Sequence, residues 1–76
     1  MTYVIKSKPG CPYCDKAKAL IEQTGEQMIE QVYATHLEIA NFKGEGFKTF
    51  PQIFHKGQYI GGYTELVRYL AEHDTF

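Results

Sequence analysis

The apolar positions change period several times along the chain, and each change marks an element. Tyr3, Val4 and Ile5 open a β-branched and aromatic run that reaches Ser7 and stops at Lys8-Pro9-Gly10, which predicts a short buried strand and a turn over 3–7 and 8–10. From Asp15 to Thr24 the residues are good helix formers. Ala17, Leu20 and Ile21 recur at helical spacing, and Lys16, Lys18, Glu22 and Gln23 supply the wet face. Pro12 suits a first helical position, where a missing N–H costs nothing, and Gly25 suits a stop. A helix over 12–24 follows, with Cys11 at or beside its N-cap.

Met28 to Ala34 mixes Met, Ile, Val and Tyr with Glu30 and Gln31 and reads as a second strand. Thr35 and Glu38 have the form of a capping box, so a helix begins at His36, kept short by Gly44 and Gly46. Thr49-Phe50-Pro51 opens a strand over Gln52–His55, Lys56-Gly57 turns the chain, and Gln58–Ile60 returns it as an antiparallel partner. Gly61-Gly62 breaks that strand. Thr64 is a good N-cap for a last helix, with Leu66, Val67 and Leu70 on one face. The strand–helix–strand opening needs a crossover, so its two strands pair in parallel. The expectation is an α/β chain with a mixed four-stranded sheet flanked by about three helices, without repeats or low-complexity tracts.

Seventy-six residues suit one domain, 1–76. An apolar share of 43% with 14% aromatic residues argues for a packed core and against disorder. The formal net charge of −1 lacks the footprint of a general nucleic-acid binder. No apolar run approaches the roughly 20 residues that span a bilayer. Met1 to Lys6 has neither a basic n-region nor an apolar h-region, so no signal peptide is expected. Two cysteines are too few for a disulfide-stapled secreted domain. The sequence thus reads as cytoplasmic.

Those cysteines, Cys11 and Cys14, carry the chemistry. A Cys-x-x-Cys pair in a reduced compartment means metal binding or redox work. At a helix N-terminus, unsatisfied N–H groups and the positive end of the helix dipole stabilise a thiolate, and such settings bring a cysteine pKa from about 8.5 down to roughly 3.5–7.5. Lys8 is available as a nearby cation. Cys11 is therefore the expected exposed, low-pKa nucleophile. Cys14, one turn inward with its side chain tilted back toward Cys11, suits a resolving thiol. The bland alternative is a pair of unreactive structural cysteines. Zinc is the sharper rival, but structural zinc wants four ligands in paired spacings, and no two of His36, His55 and His73 are three to five apart. Each histidine reads as an ordinary surface or strand residue.

At Cys11-Pro12-Tyr13-Cys14 the sequence resembles the dithiol glutaredoxins, whose signature is this tetrapeptide. Thr49-Phe50-Pro51 stands where the family has Thr-Val-Pro, and Ile60-Gly61-Gly62-Tyr63-Thr64-Glu65-Leu66 resembles its glycine-pair segment. The resemblance runs from Tyr3 to Leu70 and implies the thioredoxin-like fold and a glutathione site. By that resemblance Pro51 is cis, and the Phe50 backbone beside Cys11 holds the peptide portion of glutathione like an added strand. Gly62, Tyr63 and Thr64 offer a helix N-terminus to the γ-glutamyl carboxylate. Lys8 both tunes Cys11 and meets the glycyl carboxylate, and Tyr13 lines the glutathione sulfur. The ordinary readings are a trans proline opening an edge strand, a strand break with a helix cap, a solvated lysine, and a tyrosine covering the helix start. Phe50 in place of valine alters the apolar rim. The segment from Thr35 to Phe50 looks short and glycine-rich for the family, leaving Lys43 and Lys48 as candidates for a second glycyl-carboxylate contact. Asp15, directly after Cys14, favours the helix turn but opposes a thiolate.

The implied function is a glutathione-dependent thiol–disulfide oxidoreductase acting on protein disulfides and glutathione mixed disulfides, with glutathione as co-substrate and no tightly bound cofactor. The expected form is a monomer, without nucleic-acid or membrane partners, and ribonucleotide reductase is an implied client. Family potentials of about −200 to −230 mV lie near the cytosolic glutathione poise. One alternative is a redoxin regenerated by thioredoxin reductase, but such redoxins lack the Gly61-Gly62-Tyr63-Thr64 segment. Another is a carrier holding a [2Fe–2S] cluster through Cys11 and glutathione across a dimer, which Pro12 disfavours.

Overall fold

The structure is a computed structural model, and it describes residues 2–73. Its elements run β1 (Thr2–Ser7), α1 (Pro12–Gln23), β2 (Gln27–Val32), α2 (His36–Gly44), β3 (Gln52–His55), β4 (Gln58–Gly61) and α3 (Tyr63–Glu72). The sheet order is β2-β1-β3-β4. β1 and β2 pair in parallel across the α1 crossover, Ile5 opposite Glu30. β3 runs antiparallel to both β1 and β4, with Ile5 opposite Ile53. No helix among the described residues is long and apolar enough to cross a membrane.

The β1 residues alternate rather than being buried throughout. Tyr3, Ile5 and Ser7 are buried on one face, whereas Val4 and Lys6 are half-buried on the other. The first face meets α1 and α3, where Tyr3, Ile5, Ala17, Ile21, Ile53, Leu66 and Leu70 form an almost fully dry core. Leu20 packs against it only in part. α2 begins as its capping box requires: the Thr35 hydroxyl accepts the Glu38 N–H at 3.1 Å and the Glu38 carboxylate accepts the Thr35 N–H at 2.9 Å.

Two details of α3 depart from the sequence expectation. Its N-cap is Gly62, not Thr64. The Gly62 N–H donates to the Glu65 carboxylate at 2.7 Å, so the helix starts at Tyr63 and Thr64 falls inside its first turn. Val67 is 39% exposed, because Leu66 and Leu70, four apart, already take the inward face and the next position is rotated toward solvent.

His55, one of the buried polar residues, lies against the core. Its Nε2 lies 2.8 Å from the Glu26 carboxylate and its Nδ1 2.6 Å from the Tyr69 hydroxyl. The ring stacks on Tyr3 at 3.9 Å between centroids. In the neutral ring Nε2–H donates to Glu26 while the Tyr69 hydroxyl donates to Nδ1, so every partner is satisfied. The hydrogen bond from His55 holds the Glu26 carboxyl below its usual range, and burial, reinforced by the Glu26 charge, pushes Tyr3 up to about 12. This assembly ties the α1–β2 turn, β1, β3 and α3 together at the end of the strands opposite the cysteines.

Candidate active site

β1 delivers the chain to the turn at 8–10, and α1 begins immediately beyond Cys11. Cys11 is the N-cap with extended backbone, Pro12 occupies the first helical position, and the Cys14 N–H donates to Cys11 Sγ at 3.2 Å. The Cys11 carbonyl accepts the Asp15 N–H at 3.2 Å. Cys11 and Cys14 are joined as a disulfide with a Cα–Cα separation of 5.2 Å, within the usual span for such a bridge. Cys14 is 1% exposed and Cys11 8%. The expectation of an openly exposed Cys11 is therefore corrected for this oxidised form. As N-cap and disulfide partner, its sulfur is turned onto the first helical turn. It is nonetheless the more accessible of the two.

The charges behind the helix are largely spoken for. Lys18 Nζ lies 3.0 Å from Glu30 and 3.6 Å from Asp15, and the buried Ser7 hydroxyl donates to Glu30 at 2.6 Å. The Ser7 bond, followed by that of Lys18, holds the Glu30 carboxyl below its usual range. Glu30 in return raises Lys18. Asp15 thus faces a lysine rather than standing as a bare negative charge beside the cysteines.

Two clefts meet at this end of the molecule. The first, about 210 Å³, is lined by Tyr13, Phe50, Pro51, Gly62, Tyr63 and Thr64, together with Thr49 and Glu65. The Phe50–Pro51 peptide bond is cis, and the Tyr13 and Tyr63 rings lie 5.5 Å apart. The β4–α3 junction approaches the proline loop closely. A Cβ on Gly62 would sit 3.4 Å from the Pro51 carbonyl oxygen, and one on Gly61, at φ +128°, would meet Glu65 Cγ at 2.8 Å. Glycine is required at Gly61 on both counts. The second cleft, about 450 Å³, is lined by Lys8, Lys43 and Lys48 with Ile39, Phe42, Thr49 and Phe50.

The structure thus brings six of the expected binding residues into one cleft and places Lys8 in the adjoining one. Lys8 Nζ lies 5.6 Å from the centre of the Phe50 ring and makes no hydrogen bond with Cys11 Sγ among the described residues. Lys43 and Lys48 line the same cleft as Lys8. Sequence reasoning overlooked Thr49, which belongs to both clefts, and Glu65, which binds the α3 N-terminus. Both stand inside motifs already singled out, and the position of Glu65 three residues beyond Gly62 was an available capping signal. Among the described residues no three His, Cys, Asp or Glu side chains gather as a metal-binding group.

The glutaredoxin family model matches residues 3–60. The chain is 33% identical over 81 aligned positions to glutaredoxin 1 of Escherichia coli, covering 95% of each protein. It is also 38% identical over 68 positions to the hybrid peroxiredoxin hyPrx5 of Haemophilus influenzae, covering 88% of this chain but only 28% of that protein. Among solved structures, glutaredoxin 1 of Francisella tularensis, complexed with cacodylate, superposes with a TM-score of 0.83 at 29% identity, covering 96% of this chain and 94% of that one. A buckwheat glutaredoxin–glutathione complex superposes with a TM-score of 0.74 at 26% identity, covering 96% and 70%. The four-stranded mixed sheet with three helices is the glutaredoxin form of the thioredoxin-like fold.

Proposed function

The chain belongs to the glutaredoxin family of thiol–disulfide oxidoreductases, and on that premise we propose that it uses glutathione to reduce protein disulfides and glutathione mixed disulfides. The observation that carries this reading is the Cys11–Cys14 bridge at the α1 N-terminus. In the reduced protein the Cys14 N–H and the α1 dipole favour a Cys11 thiolate. That thiolate attacks the glutathione sulfur of a mixed disulfide, forming Cys11–S–S–glutathione and releasing the protein thiolate. Two exits follow. A second glutathione thiolate attacks the glutathione sulfur of the adduct, giving glutathione disulfide and the free Cys11 thiolate. Alternatively Cys14, as thiolate, attacks Cys11 Sγ, closing the bridge and expelling glutathione. With a protein disulfide Cys11 instead attacks one protein sulfur and releases the other as thiolate, Cys14 expels the first in the same way, and two glutathiones reopen the bridge, leaving as glutathione disulfide.

The first cleft offers the groups to hold glutathione. Tyr13 flanks the sulfur, the Phe50 and Pro51 backbone meets the peptide portion, and the N–H groups of Tyr63 and Thr64 after Gly62 face the γ-glutamyl carboxylate. Lys8 in the adjoining cleft reaches the glycyl carboxylate. The buckwheat relative's complex with glutathione supports this reading. The proposed setting is a cytoplasmic monomer of one domain, with disulfide or glutathionylated proteins as clients and ribonucleotide reductase among them.

The test is glutathione-coupled reduction of a small mixed disulfide and, in parallel, of a protein disulfide, by wild type, Cys11→Ser and Cys14→Ser. Wild type turns over and Cys11→Ser falls to the uncatalysed background. Cys14→Ser keeps deglutathionylation while losing protein-disulfide reduction. Turnover supported by thioredoxin reductase but not by glutathione would overturn the proposal.

A further inference from the structure

The second cleft is larger than the one assigned to glutathione, and its charge is unusual for this chain. Lys8, Lys43 and Lys48 converge on it, yet the sequence as a whole carries a net charge of −1. Among the described residues none of these lysines lies within 4 Å of a carboxylate, in contrast to Lys6, paired with Glu45, and Lys18, paired with Glu30. The carboxylates of the α2 segment are committed elsewhere. Glu38 accepts the N–H groups of Ala34 and Thr35, and Glu45 meets Lys6 at 3.2 Å. Between the lysines lies an apolar floor of Ile39, Phe42 and Phe50, the last with Lys8 held over its ring. Phe50 and Thr49 also line the first cleft, so the two adjoin.

Resting on the function proposed above, we infer that this basic, aromatic-floored groove docks the segment flanking the target cysteine of a protein substrate, and selects segments that carry acidic residues beside an apolar one. Lys8 is assigned to the glycyl carboxylate, and Lys43 and Lys48 are the candidates for a second contact there. The cleft thus gathers three lysines, from the turn before α1, from α2 and from the loop after it, against a single carboxylate, and the surplus positive charge raises encounter with an acidic segment and fixes its register. The floor offers an apolar side chain a place to leave water. A long polyanion such as nucleic acid is disfavoured by the overall charge and by the size of the groove.

The test uses two synthetic peptides that each carry one cysteine as a mixed disulfide with glutathione. They are identical except that the flanking positions are Glu and Asp in one and Lys in the other, with a Leu in both. Because the glutathione moiety is common, the ratio of their kcat/KM values cancels any effect on glutathione itself. Wild type at low salt favours the acidic peptide by about tenfold, the scale of a few exposed charge pairs, and the difference resides in KM. The paired substitution Lys43→Gln with Lys48→Gln brings the ratio toward one, and Lys43→Glu with Lys48→Glu inverts it. About 0.5 M salt, where the screening length is only a few ångströms, erases it in wild type. Equal use of both peptides by wild type, or a preference unchanged in both variants, overturns the assignment of this groove. Failure to turn over either peptide or a small mixed disulfide overturns the proposed function itself, which is a different result.

Discussion

The two faces of the sheet solve the same burial problem with different chemistry. On the face toward α1 and α3, Ile5, Ile21, Ile53, Leu66 and Leu70 are fully buried, and these branched side chains interdigitate as helices seat directly on strands. On the face toward α2 the packing is aromatic. Phe42 stacks on Phe50 at 3.9 Å and meets Phe47 at 5.3 Å and Tyr33 at 5.1 Å, while Phe54 and Tyr59 continue the chain of rings. Among these only Phe42 is fully buried. Large flat rings span the gap beneath a short helix that small aliphatic groups would leave empty, and they leave an edge open to ligands. The aliphatic face therefore carries the fold, whereas the aromatic face supplies Phe42 and Phe50 to the second cleft and Phe50 to the first.

The sharpest way to break this comparison is to truncate one residue on each face. Phe42→Ala should cost about 3–5 kcal/mol, and because Phe42 supports Phe50 it should also lower turnover of mixed disulfides in the fraction that remains folded. Leu70→Ala should cost about 2–5 kcal/mol while leaving turnover of the folded protein near that of wild type. Denaturant unfolding read beside turnover separates the two. Equal activity losses would mean that the faces do not divide stability from function as described.

A smaller effect comes from the polar inclusion in the aliphatic face. Tyr69→Phe removes the hydroxyl 2.6 Å from His55 Nδ1 and leaves that nitrogen unpaired, at a cost of about 1–3 kcal/mol. Thermal unfolding should show the loss while glutathione-coupled turnover is unchanged, since the assembly lies at the far end of the strands. A tyrosine change that altered turnover as strongly as stability would connect the two ends.

The smallest effect is pH-dependent. The Glu30 carboxyl is held below its ordinary value of 4.5 by Ser7 and then Lys18. A carboxyl depressed in the folded state stabilises the fold above its unfolded pKa, and that contribution is lost as pH falls through the lower folded value. Stability measured from pH 7 downward should hold until about the ordinary carboxyl range and then decline. Glu30→Gln should show a shallower decline over that acid window, and an unchanged slope would refute the assignment. Glu26, depressed by His55, acts in the same direction, so the substitution flattens the curve only in part.

Local signals announced much of this architecture. Pro12 after Cys11, the Thr35 and Glu38 box, and the alternation about Lys56-Gly57 each act within a few residues, and the elements form where those signals stand. The α3 start escaped because Thr64 and Gly62 are both acceptable caps, and the choice turned on where the Glu65 carboxylate came to rest. Val67 was misplaced because an apolar residue beside two others on a helix does not reveal how wide the buried stripe is. His55 was legible as a strand residue but not as the hub of Glu26, Tyr69 and Tyr3, which come from three distant parts of the chain.

What the sequence determined by itself was the order of elements and the place of the cysteine pair at the start of a helix, since helix capping, turn formation and the three-residue spacing of thiols are local properties. What only the tertiary structure decided was which side chains share a cleft. The approach of Gly62 to Pro51, the sharing of Phe50 between two clefts, and the gathering of Lys8, Lys43 and Lys48 into one cleft all depend on strand order and on how α2 sits over the sheet. Burial and charge pairing are sums over distant neighbours, and no window along the chain contains them.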